Sequence, residues 1–160
     1  SVDVETNAFI PSTYIANELQ KLDIYKRIAG VETMEESEEM LEELIDRFGE
    51  PPKSVQNLLT IARLKAKAHS VYVSDIVQKG NELKLTMYEK AKVDPAKIPG
   101  LLETYAPFLK FTMDTKNPYF SYMLKGNSRE KTQDVLVILE KLLSDMQIKI
   151  LLDGEKSTII

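Results

Sequence analysis

The chain has 160 residues, an apolar fraction of 43%, a charged fraction of 29% and a formal charge of −4, the size and balance of one globular domain or two small ones. The absence of cysteine excludes disulfides, thiolate metal sites and thiol catalysis, and a single histidine, His69, excludes a His-rich metal centre. The acidic balance argues against sequence-independent nucleic-acid binding by the whole chain, and no apolar run approaches the ~20 residues of a membrane-spanning helix.

The sequence opens on Ser1-Val2-Asp3-Val4 rather than methionine, as expected of a piece of a longer polypeptide. Val2 and Val4 alternate with polar residues, so a short strand or extended lead-in runs to Ile10-Pro11. A first helix is predicted from Ser12 to Ala29, capped by Ser12 or Thr13. Gly30 stands where a left-handed C-cap is wanted. Its apolar positions, among them Tyr14, Leu19, Leu22, Tyr25 and Ile28, recur every three or four residues and predict a buried stripe. The second helix is the best marked. Thr33 and Glu36 fit a capping box, and Gly49 followed by Pro51-Pro52 ends the element. A third helix follows from Pro52 to about His69. Its last turn is a favourable place for an imidazolium, because the helix dipole is negative there.

After Ser70 the period changes to two. VYVSDIVQ and ELKLTMY flank Gly80-Asn81 and predict a β-hairpin. Asp94-Pro95 opens a short helix, FLKFTMD and PYFSYMLK form a second strand pair, and Asn127-Ser128 caps a last helix running from about Arg129 to Met146. The predicted class is α+β: N-terminal helices, then antiparallel β-hairpins and a C-terminal helix in one compact domain. That domain is expected to cover residues 1–147, with 148–160 as a flexible tail.

No constellation for catalysis stands out. The glycines are isolated, so no phosphate-cradling loop forms. Asp75, Asp94 and Asp114 fall at turns or caps, where Asp is a structural choice. The aromatics around Tyr119, Phe120 and Tyr122 read as core and cross-strand pairs rather than a base-stacking platform, and Met113 and Met123 as core gap-fillers. No cofactor is expected.

The segment from Glu32 to Glu50 departs most from background. It holds nine acids against Arg47 as its one base, a charge of −8, which leaves +4 for the rest of the chain. At about 100° per residue, Met40, Leu41, Leu44, Ile45 and Phe48 fall within an arc of about 140°. Glu35, Glu39, Glu42, Glu43 and Asp46 fall within about 100° on the other side. Two readings stand: a solvated face rich in helix-forming glutamates, or a docking surface for a basic partner.

Three strings add to this. ELIDRFGEPP (43–52), the upstream IPSTYI (10–15) with LDIYKRIA (22–29), and the downstream LLTIARLKAKA (58–68) together resemble the C-terminal domain family of bacterial transcription-repair coupling factors, over about residues 1–147. The resemblance implies a cytoplasmic bacterial parent, an ATP-driven DNA translocase that removes stalled RNA polymerase and recruits excision repair through UvrA. Its motor motifs lie outside this chain. The domain itself is implied to be non-catalytic, without direct nucleic-acid or membrane contact. It is implied to pack on the parent's N-terminal UvrB-like module, mask UvrA binding and repress the motor. Carried onto this sequence, Glu43 and Asp46 are expected to pair with arginines of that module, with Glu39 and Glu42 in second rank. Arg47 and Phe48 are expected to serve the fold and Gly49 to be a C-cap. The alternative is a module that contacts RNA polymerase or a repair protein in trans.

Overall fold

The computed structural model describes residues 1–113, 116–124 and 134–154. The elements are β1 (Val2–Asp3), α1 (Glu18–Ala29), α2 (Met34–Phe48), α3 (Lys53–Ser70), β2 (Val73–Lys79), β3 (Glu82–Met87), a 3-10 turn (Pro95–Lys97) leading into α4 (Ile98–Thr104), β4 (Leu109–Thr112), β5 (Tyr119–Met123) and α5 (Val135–Lys149). This is the expected α+β order. The chain divides into two compact units, one of residues 6–66 and one of residues 1–5 with those from Lys67 onward. The helical unit is therefore an insertion between β1 and β2.

In the helical unit, Ile10, Ile15, Ile24, Ile28, Met40, Leu44, Val55 and Leu59 form one buried cluster, with Tyr14 and Phe48 against it. Helix α1 starts later than predicted. Pro11 instead opens a turn whose carbonyl accepts the N–H groups of Tyr14 and Ile15 (2.9 and 3.1 Å). The cap is Asn17, whose side chain accepts the Gln20 N–H at 2.9 Å. The shorter helix buries Ile24 and Ile28 but leaves Leu19 and Leu22 exposed, which corrects the wider stripe. Gly30 has φ −87°, so this end closes without a left-handed residue; its N–H reaches the carbonyls of Lys26 and Arg27.

The other unit is built on a five-stranded sheet of order β1-β2-β3-β5-β4. Strand β1 pairs parallel with β2, and the remaining neighbours are antiparallel. The hairpin turns at Gly80, which takes φ +59°. Leu83, Leu85 and Met87 are buried while Lys84 is exposed, the alternation of a sheet with one covered face. Phe120 and Tyr122 are core, as expected, but Met113 and Met123 are exposed rather than filling gaps. Tyr105, just past α4, meets Tyr122 edge-on at 6.0 Å and donates its hydroxyl to Asp145 of α5. Helix α5 begins at Val135, capped by Asp134, whose carboxylate accepts the Leu136 N–H at 3.0 Å. The predicted Asn127-Ser128 cap lies outside the described residues, as does Asp114.

Within the tail expected from residue 148, the described residues 148–154 include packed positions. Ile150 and Leu151 are fully buried, and Leu151 bridges to Val93. The Ile150 carbonyl accepts the Asp94 N–H at 2.8 Å, and Lys97 reaches Asp153 at 2.6 Å. These partners lie more than fifty residues back in the chain, so local pattern does not reveal them. Residues 155–160 lie outside the described set.

Leu44 is fully buried at the centre of the helical cluster. Leu44→Ala is expected to destabilise the protein by about 2–5 kcal/mol through lost burial and a residual cavity. Urea denaturation followed by far-UV circular dichroism measures this.

Candidate functional site

Helix α2 carries the acidic row, and both its ends are fixed. At the N-terminus, Thr33 Oγ1 accepts the Glu36 N–H at 3.1 Å. The Glu36 carboxylate reaches back to the N–H of Glu32 at 2.8 Å, one residue before the position the capping box predicts. At the C-terminus, Gly49 takes φ +87° and its N–H donates to the Ile45 carbonyl at 3.0 Å. The Tyr14 hydroxyl donates to the Gly49 carbonyl at 2.7 Å, an acceptor just past the helix end, and lies 3.2 Å from the Leu44 carbonyl. Burial, then the negative charge of Glu50, raises the pKa of that phenol. Phe48 lies between the Tyr14 ring, at 5.9 Å, and the Arg47 guanidinium, 4.9 Å from its centroid.

The buried face of α2 is narrower than the predicted arc. Ser37, Met40 and Leu44 are buried and Leu41 and Phe48 half-buried, whereas Ile45 is 38% exposed. On the opposite side Glu39, Glu42 and Asp46 are all exposed, and none is in an ion pair among the described residues.

Glu43 is placed differently. Arg27 of α1 grips it with both guanidinium nitrogens: Nη2 donates to Oε1 at 2.6 Å and Nη1 to Oε2. Arg47, one turn along α2, donates to the same Oε2 at 2.9 Å. The carboxylate is thus engaged inside its own unit, not free as expected. The hydrogen bond from Arg27, then that from Arg47, lowers its pKa from 4.5 to about 2. The i,i+4 spacing of Glu43 and Arg47 is legible in the sequence. The Arg27 contact joins residues sixteen apart and has no local signature.

The remaining candidates have structural settings. His69 lies in the last turn of α3, exposed, with Nδ1 3.2 Å from the Tyr88 hydroxyl and the two rings edge-on. Asp94 caps the 3-10 turn by accepting the Ala96 N–H at 3.0 Å. Asp75 accepts from the hydroxyls of Ser1 and Ser74, the Ser1 bond being the main cause of its lowered pKa. Tyr119 is half-buried under the Lys84 ammonium, 4.2 Å from its ring centroid. Among the described residues no group of three His, Asp or Glu side chains is placed to hold a metal, and no helix is long and apolar enough to cross a membrane.

Because the folded-state pKa of Glu43 lies below its ordinary value, its pairing stabilises the fold above about pH 4.5 and that contribution is lost as pH falls towards 2. Both partners are partly exposed, so each pair contributes only ~0.2–1 kcal/mol. Glu43→Gln is expected to be less stable than wild type at pH 7 and to converge on it as pH falls through about 2. Urea titrations across that range measure the difference.

Comparison with known proteins bears on the whole arrangement. The family model of the TRCF domain matches residues 4–98. The transcription-repair-coupling factor of Bacillus subtilis (strain 168) is 37% identical over 148 residues, covering 91% of this chain and 13% of that protein. The same-named protein of Staphylococcus haemolyticus (strain JCSC1435) is 38% identical over 92 residues, 56% of this chain and 8% of that protein. This chain therefore spans a small part of the length of the relatives it matches. A crystal structure of the C-terminal domain of transcription-repair coupling factor superposes with a TM-score of 0.72 at 24% identity, covering 91% of this chain and 92% of that one, which shows a shared fold. With more than half of its residues matched by the family model and nine-tenths aligned to a relative, this chain belongs to the TRCF domain family.

Proposed function

We propose that this chain is a non-catalytic regulatory domain of a transcription-repair coupling factor, acting in transcription-coupled DNA repair. In this reading it packs on the parent's N-terminal UvrB-like module, masks UvrA binding and represses the DNA translocase. The observation that carries the reading is the exposed acidic row of α2, held by a helix fixed at both ends. A rigid row of carboxylates loses little entropy on meeting a basic surface, and opposed potentials set orientation. Asp46, Glu42 and Glu39 are the docking carboxylates in this account. Glu43 supports them through Arg27 and Arg47, and reaches a partner only by giving up one of those arginines.

The mechanism is a population shift. An exposed ion pair contributes ~0.2–1 kcal/mol, so a few pairs with some apolar burial bias a closed state without making the open one unreachable. Engagement with stalled RNA polymerase is then able to favour the open state.

Binding of this chain to the separately expressed N-terminal module is expected to weaken steadily as salt rises. Glu42→Lys with Asp46→Lys is expected to cost about tenfold in affinity, from lost pairs and added repulsion of ~0.2–1 kcal/mol each. In the full-length parent the same double variant is expected to expose UvrA binding. Unchanged affinity and unchanged UvrA binding would overturn the assigned surface. Capture of RNA polymerase or a repair protein by wild type, with no capture of the N-terminal module, would instead favour a role in trans.

A further inference from the structure

The clasp on Glu43 sits at the surface. Glu43 shares a side of α2 with Glu39, Glu42 and Asp46, and its side chain is 32% exposed, that of Arg27 42%. Arg27, Glu39 and Glu43 line one open groove of about 320 Å³. Arg27 also has a second carboxylate within one turn of its own helix. Asp23 precedes it by four residues on α1, the spacing and order in which an acid and a base pair best along a helix. Asp23 is exposed and in no ion pair among the described residues, and its negative charge already favours the charged form of Arg27. Moving the guanidinium from Glu43 to Asp23 exchanges one exposed ion pair for another, so the two positions differ little in free energy. Arg47 keeps its bond to Glu43 Oε2 in either position, whereas Oε1, held by Arg27, is set free.

We propose that Arg27 is a latch on the docking surface: seated on Glu43 it holds that carboxylate out of the acidic row, and turned back to Asp23 it releases Glu43 Oε1 to a cationic group of the partner. The inference rests on the reading of α2 as a docking element, and assigns that surface its regulation. The seated form also keeps a guanidinium in the same groove as Glu39, where it repels a basic partner. A partner that draws Glu43 into its contacts must first displace Arg27. Its apparent affinity for this part of the surface is then lowered by the fraction of chains in which the latch is open. The grip depends on the fork of the guanidinium, which meets both carboxylate oxygens at once.

Arg27→Lys tests the latch, because lysine keeps the charge and loses the fork. Binding of the whole chain to the separately expressed N-terminal module, and to a hexalysine peptide as a generic basic probe, is measured by calorimetry, with circular dichroism checking that each variant is folded. Arg27→Lys is expected to tighten both interactions by about two- to fivefold, the size of one exposed ion pair. In a Glu43→Gln background the same substitution is expected to change neither. A gain that persists there does not act through Glu43 and overturns the latch. Asp23→Asn is expected to weaken binding in wild type and to have a smaller effect beside Arg27→Gln; an equal loss in both backgrounds overturns Asp23 as the second seat. If the Glu42 and Asp46 reversals weaken binding to the module and Arg27→Lys tightens neither interaction, the latch fails and the docking surface stands. If wild type does not bind the module at all, the docking reading fails and the hexalysine arm alone decides. There, binding no tighter in Arg27→Lys than in wild type, undetectable binding included, overturns the latch.

Discussion

The second helix is held by a thin line of apolar contact. Met40 and Leu44 are buried, with Leu41 and Phe48 partly so, and every other feature of α2 follows from that seat. Burying a large aliphatic side chain contributes roughly 1.5–3 kcal/mol, whereas a like-charge pair one turn apart costs a few tenths. Two buried residues therefore outweigh the repulsion along Glu35, Glu39, Glu42 and Asp46, and the helix stays formed with its charges aligned. Fixed ends do the rest: Thr33 and Glu36 close one, and Gly49 with the Tyr14 hydroxyl closes the other.

The clasp on Glu43 divides this surface. One carboxylate is consumed in joining α1 to α2, and the net charge of Arg27, Glu43 and Arg47 taken together is positive. The face a partner meets is then a negative row bordered by a positive patch. Such a border gives direction, because a uniformly basic partner gains on one side and loses on the other.

Much of the fold was legible because it depends on short-range chemistry. The Thr33-Glu36 signal, the Gly49-Pro51-Pro52 stop, the hairpin at Gly80-Asn81 and the inward row of α5 are all local, and all are observed. What was not legible depends on partners distant in sequence. Pro11 diverts Ser12 and Thr13 into a turn, so α1 begins at Glu18. Leu151 is buried because Val93 pairs with it. Tyr72 adopts φ +64°, a conformation no side chain of its type announces. At the candidate site, the helical wheel separated the acidic row from the core but could not see Arg27. Nor did it show that Ile45 is 38% exposed instead of buried with Met40 and Leu44.

The helical unit enters the chain between β1 and β2, and β1 is only two residues long. It is held by the pairing of Val2 with Ile76 and Asp3 with Val77, by the Ile76 N–H on the Ser1 carbonyl, by the Ser1 amino group on the Ser74 carbonyl and its hydroxyl on Asp75, and by the Glu5 N–H on the Gln78 side chain. Each such bond contributes ~0.5–1.5 kcal/mol, and β1 pairs over fewer positions than any other neighbouring strands of the sheet. Tension applied through the N-terminal end of the chain meets this pairing before it reaches any helix. Strand β1 is also the sheet's one parallel edge, so the four antiparallel strands pair with one another independently of it.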